Sequence, residues 1–155
     1  MKIMSPFSAL NDFMMELMLS ILIISILVTI AIPVYTSYLD KAKISEAIGL
    51  MGNAKSRAAE YYSYHGHLPA KTEQLLGIKT SGTYTTNVII NNGAITTTML
   101  HNGLSLSLRP ALPSNQKLPK VITYVCGYAT PPNGFIVQGE NNTNIPPRYL
   151  TPVCR

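Results

Sequence analysis

Few side chains in this sequence stand where chemistry could be done, and Glu16 is the foremost. It sits within NDFMMELMLSILIISILVTIAIPVY (Asn11–Tyr35), directly before a run, Leu17–Leu39, that carries no charge. An unpaired carboxylate in hydrocarbon costs several kcal/mol, and it escapes by protonation or by meeting an opposite charge. Two readings stay open. Glu16 either marks the polar edge of an apolar helix, near a helix start where the dipole favours acids, or it is a functional group that needs a cationic partner. Cys126 and Cys154 are the second pair of interest. Outside the cytoplasm they can join, closing a loop worth roughly 3.5 kcal/mol in the chain-entropy account. In a reducing compartment they are two unrelated thiols.

The remaining constellations are weak. His65-Gly66-His67 lacks a carboxylate or cysteine at ligand spacing, so no metal site is expected there. Tyr61, Tyr62 and Tyr64 are expected to pack under a sheet rather than to stack on bases. Asn141-Asn142-Thr143 fits a glycosylation sequon within an Asn-rich loop. No Ser/His/Asp set, phosphate-cradling Gly loop or carboxylate pair emerges. No catalytic or cofactor-binding residue is expected, and an enzyme is not the reading. Net charge is +5, from 12 Lys and Arg against 7 Asp and Glu, and the basic residues are scattered. That permits attraction to DNA or anionic surfaces without establishing it.

The elements that position these residues follow from hydrophobic pattern. Leu17–Leu39 is long enough to cross a hydrocarbon core of about 30 Å at about 1.5 Å per helical residue. It exceeds the apolar core of a signal peptide, and helical pattern continues past it. Lys41 and Lys43 follow the run, whereas Lys2 is the one charge before Asp12, so the positive-inside bias leans weakly against an external C-terminus. After Asp40, Ile44, Ala47, Ile48, Met51, Ala54, Ala58 and Tyr61 recur every three or four residues, with Lys43, Glu46, Lys55, Arg57 and Glu60 on other faces. That is one apolar stripe on a helix. Gly66 and Pro69 stop it. One helix from about Phe13 to His65 is expected, with Pro33 as a kink or weak point.

Strands follow. Tyr84–Ile90 and Ala94–Leu100 flank Asn91-Asn92-Gly93, a good hairpin turn. LSLSL, Leu104–Leu108, alternates with period two, and VITYVCG, Val121–Gly127, reads as a fourth strand. GFIVQG, ending at Gly139, is a candidate short strand. The expected class is α+β: one long N-terminal helix, apolar then amphipathic, packed on a four-stranded antiparallel sheet.

An apolar helix with Glu at its head, Pro midway and a β domain after it resembles the type IV pilins. FMMELM (Phe13–Met18) resembles the family's N-terminal motif, and AIPVYTSYLDKAKISEAI (Ala31–Ile48) the stretch that follows in the type IVa subclass. YVCG (Tyr124–Gly127) and YLTPVCR (Tyr149–Arg155) look like the two edges of a disulfide-bounded loop in these pilins. The resemblance covers nearly the whole chain and is weak over 68–120. It implies the pilin fold, a Cys126–Cys154 disulfide, and an assembly role for Glu16, Phe13 and Pro33, with Glu16 paired to the free N-terminal amine of a neighbouring subunit. It further implies a homo-oligomeric helical filament, a prepilin peptidase and assembly machinery. The chain would be held first in the inner membrane and then in an extracellular pilus. Adhesion, twitching motility and DNA uptake are the functions implied, with DNA or a host-surface receptor as partner.

Three segments are expected: a leader-like 1–11, an assembly half of the helix 12–40, and a globular head 41–155 containing the loop 126–154. Alignment on Glu16 places the cut between Asn11 and Asp12, and Phe13 fits a first residue by chemistry. The family's precursors end the leader in Gly, and no Gly stands here; the family's Gly within the apolar segment falls on Ser25. The alternatives are a minor pilin or type II secretion pseudopilin, or a non-polymerising single-pass membrane protein with a periplasmic binding domain.

Overall fold

The computed structural model describes residues 6–100, 102–115 and 122–155. Residues 1–5 of the leader-like segment, and Val121 of the expected fourth strand, lie outside the described residues. The chain separates into two units, Met1–Leu39 and Asp40–Arg155. Helix α1 runs unbroken from Pro6 to His65. It begins earlier than the expected Phe13 because nothing between Phe7 and Asp12 opposes it. Proline itself is suited to a first turn, where its missing N–H would have had no partner. Gly66 ends the helix with a left-handed φ of 72°, and its N–H donates to the Tyr62 carbonyl at 2.9 Å.

Five strands follow among the described residues: β1 Thr85–Asn91, β2 Ala94–Met99, β3 Ser105–Pro113, β4 Thr123–Cys126 and β5 Phe135–Val137. All pairings are antiparallel, in the order β1-β2-β3-β4, with β5 on the far end of β3. The β1–β2 hairpin turns through Asn92 and Gly93, with φ of 48° and 80°. Two successive left-handed residues match the twist of the flanking strands, and Asn-Gly tolerates them best. A bulge between Thr85 and Asn87 shortens the ladder relative to expectation, although the Leu100 N–H still reaches the Tyr84 carbonyl at 2.9 Å.

Strand β3 is longer than the expected Leu104–Leu108. Its prolines are tolerated by position. The Pro110 carbonyl accepts from Gln138 N–H at 2.8 Å, so the N–H that Pro110 lacks would point to that same edge. That edge has a gap there, since β2 pairs as far as Leu108 and β5 starts at Ala111.

The core of the second unit lies between the amphipathic half of α1 and one sheet face. Ile44, Ala47, Leu50, Met51, Ala54 and Ala58 meet Val88, Ile90, Ile95, Met99 and Leu106. Ala47, Ala54 and Ala58 are fully buried, which lets the helix backbone approach the sheet closely. Buried Thr97 turns its hydroxyl to Met51 Sδ at 3.4 Å. Of the three tyrosines, Tyr62 is buried and Tyr61 half-buried, but Tyr64 is exposed. Tyr64 follows the stripe by three residues from Tyr61, yet it is the penultimate residue of α1, where the helix gives way to the turn at Gly66.

Candidate functional site

The apolar half of α1 offers every large side chain outward. From Leu10 to Leu39 all its Leu, Ile, Met, Val and Phe residues are exposed. The most apolar stretch has a mean hydropathy of 2.8 and none of it is buried within the chain. Burying one Leu or Ile side chain is worth about 1.5–3 kcal/mol, so a surface of this kind calls for lipid or other helices as its surroundings. Its serine and threonine hydroxyls are closed off internally. Ser20, Ser25 and Thr29 donate to the carbonyls four residues back at 2.9, 2.7 and 2.8 Å. Thr36 and Ser37 both donate to the Pro33 carbonyl at 3.0 Å. Pro33 lies inside continuous helix and, having no N–H, leaves the Thr29 carbonyl without its usual partner.

Glu16 stands out against this background. It is exposed, and it lies well past the helix's first turn, which contains no acidic residue. The helix dipole acts within the terminal turn, so it does not account for a carboxylate here while residues 6–11 remain attached. Asn11, Asp12 and Phe13 also lie within regular helix, exposed, and the structure draws no other element of the described chain to them.

A second locus is the C-terminal loop. Cys126 closes β4, Cys154 lies in a short turn at Pro152–Cys154, and the structure joins them across a Cα separation of 4.6 Å. Gly127 makes this approach feasible. Its φ is +55°, and a Cβ there would sit 2.5 Å from the Cys154 carbonyl oxygen. The Gly127 carbonyl accepts from Asn141 Nδ2 at 2.9 Å and from the Arg109 guanidinium at 3.2 Å. The segment Asn141–Asn144 then fastens the loop to β3. Ser107 N–H donates to Thr143 Oγ1 at 3.0 Å, Asn142 N–H to Ser107 Oγ at 3.0 Å, and Ser105 N–H to Asn144 Oδ1 at 2.6 Å. The sequon residues Asn141 and Thr143 are thus both engaged in holding the loop. In sequence they read as a weak sequon match in an Asn-rich loop; the signal that was missed is the Asn/Thr run facing Ser105 and Ser107 across the fold.

His65 and His67 lie with ring centroids 6.0 Å apart, and each ring Nδ1 faces a backbone carbonyl, Tyr61 and Leu68 respectively. No group of three metal-ligating side chains occurs among the described residues. Among the described residues, Tyr124 is the one strongly shifted ionisable group. Burial pushes its phenol up to about 12, and its hydroxyl finds no partner among the described residues. Lys55 Nζ lies 5.5 Å from its ring centroid.

Comparison with known proteins places these features. The family model for pilin, a bacterial filament protein, matches residues 41–155. The chain is 30% identical over 153 residues to a type IV major pilin protein, PilE1, of Neisseria gonorrhoeae, an alignment covering 92% of this chain and 84% of that one. It is 37% identical over 97 residues to the fimbrial protein EcpC of Eikenella corrodens, covering 59% of this chain and 63% of the relative. It is also 35% identical over 100 residues to a fimbrial protein of Neisseria meningitidis serogroup A, covering 62% and 58%. The last two alignments span less than two thirds of those relatives' length. The folded head is matched from end to end and the apolar helix is carried by the longest alignment, so the chain belongs to the pilin family of bacterial filament proteins.

Proposed function

We propose that this chain is the structural subunit of a type IV pilus and polymerises with copies of itself through the apolar half of α1. The observation that carries the reading is the wholly exposed apolar helix joined to a folded, disulfide-closed head. Before assembly the helix spans the inner membrane through Leu17–Leu39. In the filament the same surface packs on neighbouring helices. A prepilin peptidase removes residues 1–11, and the assembly machinery then extracts the subunit. The new N-terminal amine of one subunit pairs with Glu16 of another. That pair fixes axial register more than it adds stability, since desolvation offsets much of the attraction between two buried charges. The head, 41–155, forms the outer surface, and the Cys126–Cys154 loop is a contact or receptor surface there. Adhesion, twitching motility and DNA uptake are properties of the resulting filament.

The test compares sheared surface filaments from cells producing the wild type and Glu16→Ala. The wild type is expected in the filaments. The variant is expected to remain in the membrane fraction with its disulfide formed. A variant that enters filaments as well as the wild type, or a wild type absent from them, would overturn the proposal.

A further inference from the structure

A groove of about 350 Å³ opens on the head where α1 meets the C-terminal turns. Its floor is apolar, from Ile44, Tyr149 and Leu150, and its rim is cationic, from Lys41, Arg148 and Arg155. No acidic side chain lines it. The nearest acid along the helix, Asp40, is held by Lys43 at 3.2 Å. Two of the cations are positioned. Arg155 Nε donates to the Pro147 carbonyl at 2.9 Å, and the Arg148 guanidinium lies 4.8 Å from the Tyr149 ring centroid.

Location along the chain identifies the occupant. Lys41 follows the last residue of the uncharged run by two positions, and two helical residues advance about 3 Å. A bilayer that holds Leu17–Leu39 therefore ends beside Lys41, at the depth of the phosphates. Arg and Lys bind phosphate through charge-assisted hydrogen bonds, and an aromatic ring beside them suits the interface. We propose that this groove binds the phosphate headgroup of an anionic phospholipid while the chain resides in the membrane. The bound lipid tethers the head to the bilayer surface and is released on extraction. The inference rests on the membrane stage of the function proposed above and assigns that stage a site.

The experiment uses the full chain in detergent micelles containing equal amounts of phosphatidylglycerol and phosphatidylcholine, with retained lipid counted by native mass spectrometry. The wild type retains phosphatidylglycerol in preference. Each basic residue at an anionic surface contributes roughly five-fold, so Arg148→Gln lowers retention about five-fold and Arg148→Gln/Arg155→Gln about 30-fold. The charge-matched control Lys55→Gln/Lys79→Gln retains the preference. The site is overturned by equal retention of the two lipids, or by equal loss in the groove and control variants. It is also overturned by a groove variant that keeps the preference yet fails to enter filaments, which would make the groove a seat for a second copy. Filament yield of the wild type is read separately. Groove-dependent selectivity without filaments would remove the pilus reading and leave the lipid site standing.

Discussion

Replacing both cysteines in Cys126→Ala/Cys154→Ala tests how the C-terminal loop is held. The disulfide links residues 28 apart in sequence. Releasing a loop of that length returns roughly 3.5 kcal/mol of conformational freedom to the unfolded chain. The folded head loses little else. Each buried CH2–S arm shortens to a methyl group in a core that still buries Ile145 and Leu150, and the Tyr128 N–H keeps its acceptor, the carbonyl of residue 154. A head of this size unfolds with an entropy of about 0.24 kcal/mol per degree, from about 2.1 cal/mol/K for each residue. The expected drop in melting temperature is therefore about 15 °C. Circular dichroism melts of detergent-solubilised wild type and variant, without reductant, provide the assay. A drop of less than about 5 °C would refute the loop-entropy reasoning, since this estimate takes ~4 °C as the effect of 1 kcal/mol. It would place the loop's stability in the Asn141–Asn144 hydrogen bonds instead.

Tyr124 gives a pH dependence of definite sign. Its folded value of about 12 lies above the unfolded 10.0, so stability from its neutral form is complete below pH 10 and is lost as pH rises toward 12. The full loss is about 3 kcal/mol, and Tyr124→Phe should abolish that part of the alkaline decline; absorbance titration should show one phenol among the 9 tyrosines ionising late. Ala54→Leu forces a larger side chain between α1 and the sheet at a fully buried position, and should lower stability by about 1–3 kcal/mol in the same melts. Thr143→Val leaves the N–H of fully buried Ser107 without its acceptor and should cost about 1–3 kcal/mol, whereas Thr143→Ser should cost much less.

The parts legible in the sequence were those set by local chemistry. Asn91-Asn92-Gly93 announced the hairpin because two left-handed residues are needed there, and Ile44 through Ala58 announced the buried stripe by their spacing. The second half of β3 was not legible. Pro110 and Pro113 argue against a strand unless the gap between β2 and β5 is known, and that gap exists in the tertiary pairing alone. The loop fastening at Ser105 and Ser107 was hidden for the same kind of reason: its partners, Asn142 to Asn144, lie 35–39 residues away. Glu46 is a third instance. Its carboxylate accepts the Tyr84 N–H at 3.0 Å, and Gly82 leaves the space for it, a clamp that reads in sequence as one more surface charge. The placement of Glu16 beyond the first helical turn depended on where α1 begins, and the upstream residues carry no helix-start signal stronger than Pro6.

The hydroxyls of Ser20, Ser25, Thr29, Thr36 and Ser37 bear on more than helix solubility in lipid. A helix whose serine and threonine hydroxyls are spoken for by its own backbone makes few directional demands on its surroundings. It can exchange one apolar medium for another without breaking a polar contact, so the exchange has a low barrier and is reversible in principle. Direction must then come from outside this surface, from shape and from the ionisable groups at its head, Glu16 foremost. The same property makes the helix a poor discriminator between neighbours, which leaves the recognition of correct partners to Glu16 and to the folded head.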